Sequence, residues 1–146
     1  MEKSTAFEIR EMHSYEEMLE RYEILTQLNP QLKKEDYARM LHDMLAHGYR
    51  QVAVFDGKQC IGVSGFWIST KLYCDKYVEL DNVIIDAAYR SKGVGKLMCD
   101  WIVEEGKRLG CITALLDAYV ENSNGHRFYF REGYVIKGFH FLKKLI

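Results

Sequence analysis

The chain has 146 residues, the size of one domain, and its composition is ordinary for a globular protein, with 48% hydrophobic and 28% charged residues. A formal net charge of -1 provides no overall positive field, so neither nucleic acid nor an anionic membrane is expected as a partner. The first residues lack an apolar signal segment and no stretch approaches the ~20 apolar residues of a membrane span, which predicts one cytoplasmic domain over residues 1–146.

The N-terminal half of the chain shows strand and helix periodicities in alternation. A capping-box pattern opens the first helix, Asn29-Pro30 ends it, and Gly48 ends the second helix. Asp56-Gly57 is typical of a tight hairpin turn between two apolar, β-rich runs. The predicted elements are a strand over Phe7–Arg10, helices from Ser14 to about Leu28 and over about Lys34–His47, and strands Tyr49–Phe55 and Gln59–Ser69.

The C-terminal half continues with strands and helices in turn. Its predicted elements are the strand Tyr77–Ile85, a helix over Lys96–Leu109, a buried strand over Cys111–Ala118, a short helix over Asn122–Arg131 and a long final strand over Tyr134–Leu145. The whole order is therefore β-α-α-β-β-β-α-β-α-β, which predicts an α/β protein.

A glycine-rich turn, Arg90-Ser91-Lys92-Gly93-Val94-Gly95-Lys96, joins the strand Tyr77–Ile85 to the following helix. Glycines let a ligand approach the backbone, and the start of a helix presents free N–H groups to an anion such as a pyrophosphate. A P-loop is excluded because Leu97, not Ser or Thr, follows Lys96, and a dinucleotide fingerprint is excluded because Met98 stands where its third glycine belongs.

The remaining pattern, Arg-x-x-Gly-x-Gly, resembles the main signature of the GNAT superfamily of acyl-CoA-dependent N-acyltransferases. A second segment, from Asn122 to Tyr134, is similar to that family's Asn-x-x-Ala-x-x-x-Tyr-x-x-x-Gly-Phe pattern. Gly125 replaces the usual Ala and Tyr134 the usual Phe. The resemblance implies a central, mostly antiparallel mixed sheet of six to seven strands flanked by about four helices, with acetyl-CoA as the cofactor.

The resemblance also implies cofactor contacts, mostly by the main chain. The amides of the turn from Arg90 to Lys96, aided by the charges of Arg90 and Lys92, would hold the pyrophosphate. The N–H of Val83 would polarise the thioester carbonyl, and the main chain of Ile85 would pair with the pantetheine. Asn122 would hydrogen-bond the pantetheine, cap the short helix, or do both.

Acyl transfer to an amine needs a base for the amine and an acid for the departing thiolate. In an uninterrupted strand, Tyr77, Glu79, Asp81, Val83 and Ile85 share one face, so the two carboxylates are neighbours. By resemblance Glu79 is the first choice for the base, with Asp81 second and water a third route. The alternative is that both are solvated strand-end charges.

Tyr129 occupies the position of the family's general acid; the alternative is a core aromatic among Phe128 and Phe130. We therefore predict an N-acetyltransferase acting on a primary amine of a small molecule or a protein. Nearby acidic residues hint at a cationic acceptor. The rival hypothesis is a non-catalytic acyl-CoA-binding or sensing module that acts through a protein partner.

No metal is expected, because the four cysteines show no Cys-x-x-Cys spacing and the histidines have no metal spacing with a carboxylate. The cysteines suit free thiols in a reducing compartment. By analogy with some family members, pairing of the final apolar strand across a two-fold axis would give a homodimer.

Overall fold

The computed structural model of the chain describes residues 6–146. The described elements, in chain order, are β1 (Glu8–Met12), α1 (Tyr15–Leu19), α2 (Tyr22–Leu25), α3 (Lys34–Ala46), β2 (Arg50–Asp56), β3 (Gln59–Lys71), β4 (Asp75–Ile85), α4 (Val94–Arg108), β5 (Thr113–Leu116) and α5 (Ser123–Arg131). A short 3-10 turn, Ala87–Tyr89, precedes α4. The α/β class predicted from the sequence is confirmed.

The strands form one five-stranded sheet in the order β1-β2-β3-β4-β5. The pairs β1–β2, β2–β3 and β3–β4 are antiparallel, and the connection from β4 to β5 passes through α4. The predicted count of six to seven strands is therefore too high for the part of the chain that the structure describes.

The prediction of a final strand over Tyr134–Leu145 is wrong, since residues 135–146 have no regular secondary structure. The segment has the apolar composition of a strand, but a strand also needs a neighbour to which its N–H and C=O groups bond. Composition does not supply that neighbour, so apolar content alone overestimates strand length at a chain end.

The first predicted helix is divided into α1 and α2 at Arg21. Ser14 caps α1, accepting a hydrogen bond from the Glu17 N–H at 3.1 Å, as the capping pattern predicts. At the break, the Arg21 N–H donates to the carbonyl of Met18, and its guanidinium Nε donates to the carbonyl of Glu17. The side chain thus takes an acceptor that the backbone of a continuous helix would use.

Helices cover both faces of the sheet. The face toward α1, α2 and α3 carries a core cluster that includes Met18, Leu25 and Leu41. On the other face, the first turn of α4 packs on the centre of the sheet through Val94 and Met98. This packing fixes where α4 begins relative to β3 and β4.

Among the described residues, those from Ala6 to Leu115 form one compact unit, and Leu116–Ile146 form a second. None of the described helices combines the length and the apolar character that crossing a bilayer requires.

Candidate functional site

Strand β4 contains a β-bulge at Asn82 and Val83. Two residues lie between Asp81 and Ile84 on β4, whereas only Ser64 lies between their partners on β3. Asn82 has a left-handed backbone, with φ at 53°, and Asn tolerates this conformation better than most residues do. The bulge therefore interrupts the ladder in the middle of the predicted signature strand.

The bulge changes which side chains share a face. Tyr77, Glu79 and Asp81 lie on one face, as predicted. Val83 and Ile85, however, pack against the cluster beneath the first turn of α4, on the opposite face. The prediction that all five share a face is wrong for these two, because the extra residue reverses the alternation.

The two carboxylates have different surroundings. Asp81 accepts a hydrogen bond from the indole Nε1 of Trp67 at 2.9 Å. Glu79 lies opposite Trp67 in the β3–β4 register and lines a surface cavity. The structure thus brings the two predicted base candidates together and fixes one of them to the indole of the neighbouring strand.

The cavity has a volume of about 370 Å³. Its lining consists of His47, Trp67, Ile68, Ser69, Tyr77 and Glu79. Next to this lining, the Lys71 Nζ lies 5.2 Å from the centre of the Tyr77 ring. Of these residues, the sequence analysis assigned a role only to Glu79. The β3 residues that lie beside it are determined by the register between β3 and β4, which cannot be read from the sequence.

A buried polar group supports the indole. The Tyr49 ring lies 5.3 Å from the Trp67 ring, and its hydroxyl accepts a hydrogen bond from Gln51 Nε2 at 3.1 Å. Burial raises the pKa of Tyr49, so the hydroxyl remains neutral. A Cβ at Gly65 would lie 2.7 Å from Tyr49 Cζ, so only glycine there lets the ring pack this closely.

The glycine turn opens α4 as the sequence predicts. Gly93 is the N-cap residue, has a left-handed φ of 83° and provides no side-chain cap. In an α-helix, the first N–H groups, here those of Val94 and Gly95, have no acceptor within the helix. A helix start of this kind fits the anionic pyrophosphate that the resemblance implies.

Positive charge surrounds this helix start. Arg90 and Lys92 are exposed, and the Lys92 Nζ lies 5.6 Å from the centre of the Tyr89 ring. Ser91 between them has a φ of 62°. The Tyr89 hydroxyl in turn donates to Asp56 at 2.7 Å, so contacts with the rest of the sheet hold the turn in place.

Residues of the second unit include Asn122 and Tyr129. Asn122 caps α5, accepting a hydrogen bond from the Gly125 N–H at 3.1 Å. A Cβ at Gly125 would lie 2.8 Å from Asn122 Cγ, which explains why glycine suits this position. The half-buried Tyr129 is on α5, and its ring centre lies 5.3 Å from that of Phe128 and 6.0 Å from that of Tyr134.

Within residues 6–146, His, Cys, Asp and Glu side chains form no group of three or more that could hold a metal ion. Cys60, Cys74, Cys99 and Cys111 are free thiols.

The chain is similar in sequence and fold to several acetyltransferases. It is 27% identical over 120 residues to the aminoalkylphosphonate N-acetyltransferase of Salmonella typhimurium, covering 82% of this chain and 76% of that protein. The structure of aminoglycoside N-acetyltransferase AAC(6')-Iy in complex with CoA covers 100% of this chain and 99% of its own, at 20% identity and a TM-score of 0.84. The structure of glucosamine-6-phosphate N-acetyltransferase from Arabidopsis thaliana covers 97% and 99%, at 22% identity and a TM-score of 0.75.

A family match extends over most of the chain and includes both signature segments. Residues 12–134 match the family described as the acetyltransferase (GNAT) family. Members of this family are acyltransferases whose cofactor is acetyl-CoA, a molecule with the pyrophosphate that the start of α4 fits. The chain therefore belongs to the GNAT family of acetyltransferases.

Proposed function

We propose that the protein transfers the acetyl group of acetyl-CoA directly to a primary amine of a small molecule. The start of α4 is the observation that carries this proposal: Gly93 opens the helix without a side-chain cap, and Val94 packs in the same cluster as Val83 and Ile85, which follow the two carboxylates on β4. Two of the similar proteins are named for acetylating aminoalkylphosphonates and glucosamine 6-phosphate. Both names denote small molecules with an amine.

Acetyl-CoA, when bound, supplies an activated thioester. The amine nitrogen forms a bond to the acetyl carbon while the carbon–sulfur bond breaks. Glu79 takes the proton from the amine, directly or through water, and Asp81 adds negative charge beside it. The Val83 N–H stabilises negative charge on the carbonyl oxygen, and Tyr129 donates a proton to the departing thiolate.

Cofactor binding in this proposal is mainly a main-chain property. The turn from Arg90 to Lys96 holds the pyrophosphate through main-chain amides at the start of α4 and the charge of Lys92. The main chain of Ile85 and the side chain of Asn122 bond the pantetheine arm. The location of Val83 and Ile85 on the α4 face, beyond the bulge, supports their assignment to the cofactor and not to the acceptor.

Calorimetric titration with acetyl-CoA tests cofactor binding, with dephospho-coenzyme A and ATP as controls. We expect dissociation constants of about 1–100 μM for acetyl-CoA and much weaker binding of ATP. Equal binding of ATP would contradict the assignment of the glycine turn.

Replacement of the proposed acid separates an enzyme from a sensing module. Tyr129→Phe should reduce thiol release about tenfold or more, while the affinity for acetyl-CoA changes little. Tyr119→Phe is the matched control, because it removes the hydroxyl of an exposed tyrosine in the same unit. Unchanged turnover in Tyr129→Phe would refute the acid assignment, and a wild type that binds acetyl-CoA but acetylates no amine would favour the sensing module.

We further propose a cytoplasmic location and a homodimer. The four free thiols support a reducing compartment. Exposed apolar residues of the C-terminal segment support pairing between two copies; they include Val135, Ile136, Phe139, Phe141 and Leu142. Light scattering should give twice the chain mass of 17.1 kDa, and a monomer mass at all concentrations would exclude the dimer.

A further inference from the structure

The cavity beside Glu79 has a positively charged neighbour, because the Lys71 ammonium lies over the ring of Tyr77, one of the residues that line the cavity. Lys71 is on the same face of β3 as Ser69 and Trp67, next to the hairpin that leads to β4. Its ammonium lies 5.2 Å from the centre of the Tyr77 ring, a cation–π distance. Electrostatic interaction with Tyr77 and then with Glu79 raises the pKa of Lys71, against the desolvation that opposes this shift.

The ammonium of Lys71 disfavours the binding of a cationic ligand next to Tyr77. A cation bound on the Tyr77 ring would meet the charge of Lys71 and be repelled. The carboxylate of Asp81 already accepts the indole N–H of Trp67. An acceptor with two separated ammonium groups is therefore poorly matched to this cavity.

The other polar groups of the cavity suit an anion beside Lys71. Ser69 carries a hydroxyl that can donate a hydrogen bond. The His47 Nδ1–H donates to the carbonyl of Asp43 at 2.8 Å, so contact between the imidazole and a ligand would use Nε2. The cavity lining thus combines one carboxylate, Glu79, with the hydroxyl of Ser69, and the Lys71 ammonium lies over the ring of Tyr77, another lining residue.

We propose that the amine acceptor also carries an acidic group, a phosphonate, phosphate or carboxylate. Lys71 binds this acidic group through a charge-assisted hydrogen bond, while the amine lies at Glu79. This inference rests on the proposed acetyl transfer to an amine and narrows the acceptor class. It replaces the expectation of a purely cationic acceptor, which considered the acidic residues without Lys71.

The register limits the length of such an acceptor. Trp67, the partner of Glu79, and Lys71 are four residues apart on β3, which separates their Cα atoms by roughly 13 Å. The Lys71 side chain reaches back over Tyr77 and shortens this span. A short aliphatic chain between amine and acid therefore fits better than a long polyamine.

An acceptor panel at saturating acetyl-CoA tests the inference. The panel contains two amino acids, in the sense of amines that carry an acidic group: aminoethylphosphonate and β-alanine. Propylamine is the monoamine without an acidic group, and diaminopropane is the diamine. One charge-assisted contact should raise kcat/KM of an amino acid over propylamine by roughly 10–100-fold. Aminoethylphosphonate above β-alanine would assign the acid as a phosphonate or phosphate, and the reverse order would assign it as a carboxylate.

Substitution of Lys71 shows whether this residue provides the contact. Lys71→Gln should raise KM for the preferred amino acid about tenfold or more, a larger change than for propylamine, which has no acidic group for the lysine to contact. Lys71→Glu should shift the preference toward diaminopropane. Lys58→Gln is the matched control, since Lys58 is exposed in the turn at the opposite end of β3.

The outcomes separate this inference from the proposed function. Turnover of propylamine or diaminopropane equal to that of the amino acids would overturn the acceptor class and leave the acetyltransferase intact. An amino-acid preference that Lys71→Gln does not alter would overturn the role of Lys71. Failure of every amine despite binding of acetyl-CoA would overturn both proposals.

Discussion

Glu79 and Asp81 are two residues apart on β4, but their neighbours give them different chemistry. The Trp67 indole donates to Asp81, and the Tyr49 ring packs against that indole. One oxygen of Asp81 is thus held by a hydrogen bond within the protein. Glu79 instead lines the cavity in which we propose that the amine lies. Asp81 is therefore better suited to orient and attract the amine than to take its proton.

Substitutions that remove each charge but keep the side-chain shape distinguish these roles. If Glu79 is the base, Glu79→Gln should lower kcat by roughly 10²–10⁴-fold, the usual contribution of general base catalysis. Asp81→Asn should act mainly on KM for the amine, because it removes attraction without removing the proton acceptor. Steady-state kinetics across pH measure both effects.

The control for Asp81 is its hydrogen-bond partner. Trp67→Phe keeps an aromatic ring but deletes the N–H, so it should reproduce part of the KM effect of Asp81→Asn and leave acetyl-CoA binding unchanged. A loss of kcat in Asp81→Asn as large as that in Glu79→Gln would show that the two carboxylates act as one unit. Full activity of Glu79→Gln would indicate that water alone takes the proton.

Among the elements, α4 connects the fold to cofactor binding because its first turn packs directly on the sheet. A Cβ placed on Gly62 of β3 would lie 2.8 Å from Val94 Cγ1, and Val94 is the first residue of α4. The absence of a side chain at Gly62 thus sets how closely the helix start approaches the sheet.

Gly62→Ala should therefore displace the first turn of α4. We expect a loss of roughly 1–3 kcal/mol in the free energy of unfolding, the usual cost of overpacking, and a raised KM for acetyl-CoA. Chemical denaturation and kinetics measure the two effects. Gly138→Ala is the control, since a Cβ there meets nothing within 4 Å, and an unchanged KM in Gly62→Ala would separate helix position from cofactor binding.

The sequence predicted the secondary-structure elements more accurately than the contacts between them. The periodicity and the glycine turn predicted β4 and α4 to within a few residues, because apolar spacing and turn chemistry are local properties. The bulge at Asn82 and the hydrogen bond from Trp67 to Asp81 depend on the register between β3 and β4, which no local sequence pattern contains. The same limit explains the wrong final strand, and it applies to Lys71, whose contact with Tyr77 lies across the hairpin.

Ion pairs connect secondary-structure elements that are distant in sequence. Arg50 on β2 donates to both Glu11 on β1 and Glu105 on α4, and Arg108 also donates to Glu105. The side chain of Glu105 is 11% exposed and that of Arg50 28%, whereas Arg108 is 66% exposed, so solvent screens the Arg50 pair less than the Arg108 pair. Removal of one partner would leave a poorly solvated charge between the sheet and α4.

Stability should consequently depend on pH through Glu105. Hydrogen bonds from Arg108 and then Arg50 lower the pKa of Glu105 from 4.5 to about 2 in the folded chain, against the desolvation that opposes this shift. Because the folded pKa lies below the unfolded one, the stabilisation is complete above about pH 5 and is lost as the pH falls toward 2. Glu105→Gln should therefore be less stable than wild type at neutral pH, and the difference between them should shrink on acidification. Urea denaturation at several pH values measures this difference in the free energy of unfolding.

Glu104→Gln is the matched control, because the exposed pair of Glu104 with Lys107 should contribute less than about 1 kcal/mol. A difference between Glu105→Gln and wild type that does not vary with pH would refute the role assigned to Glu105.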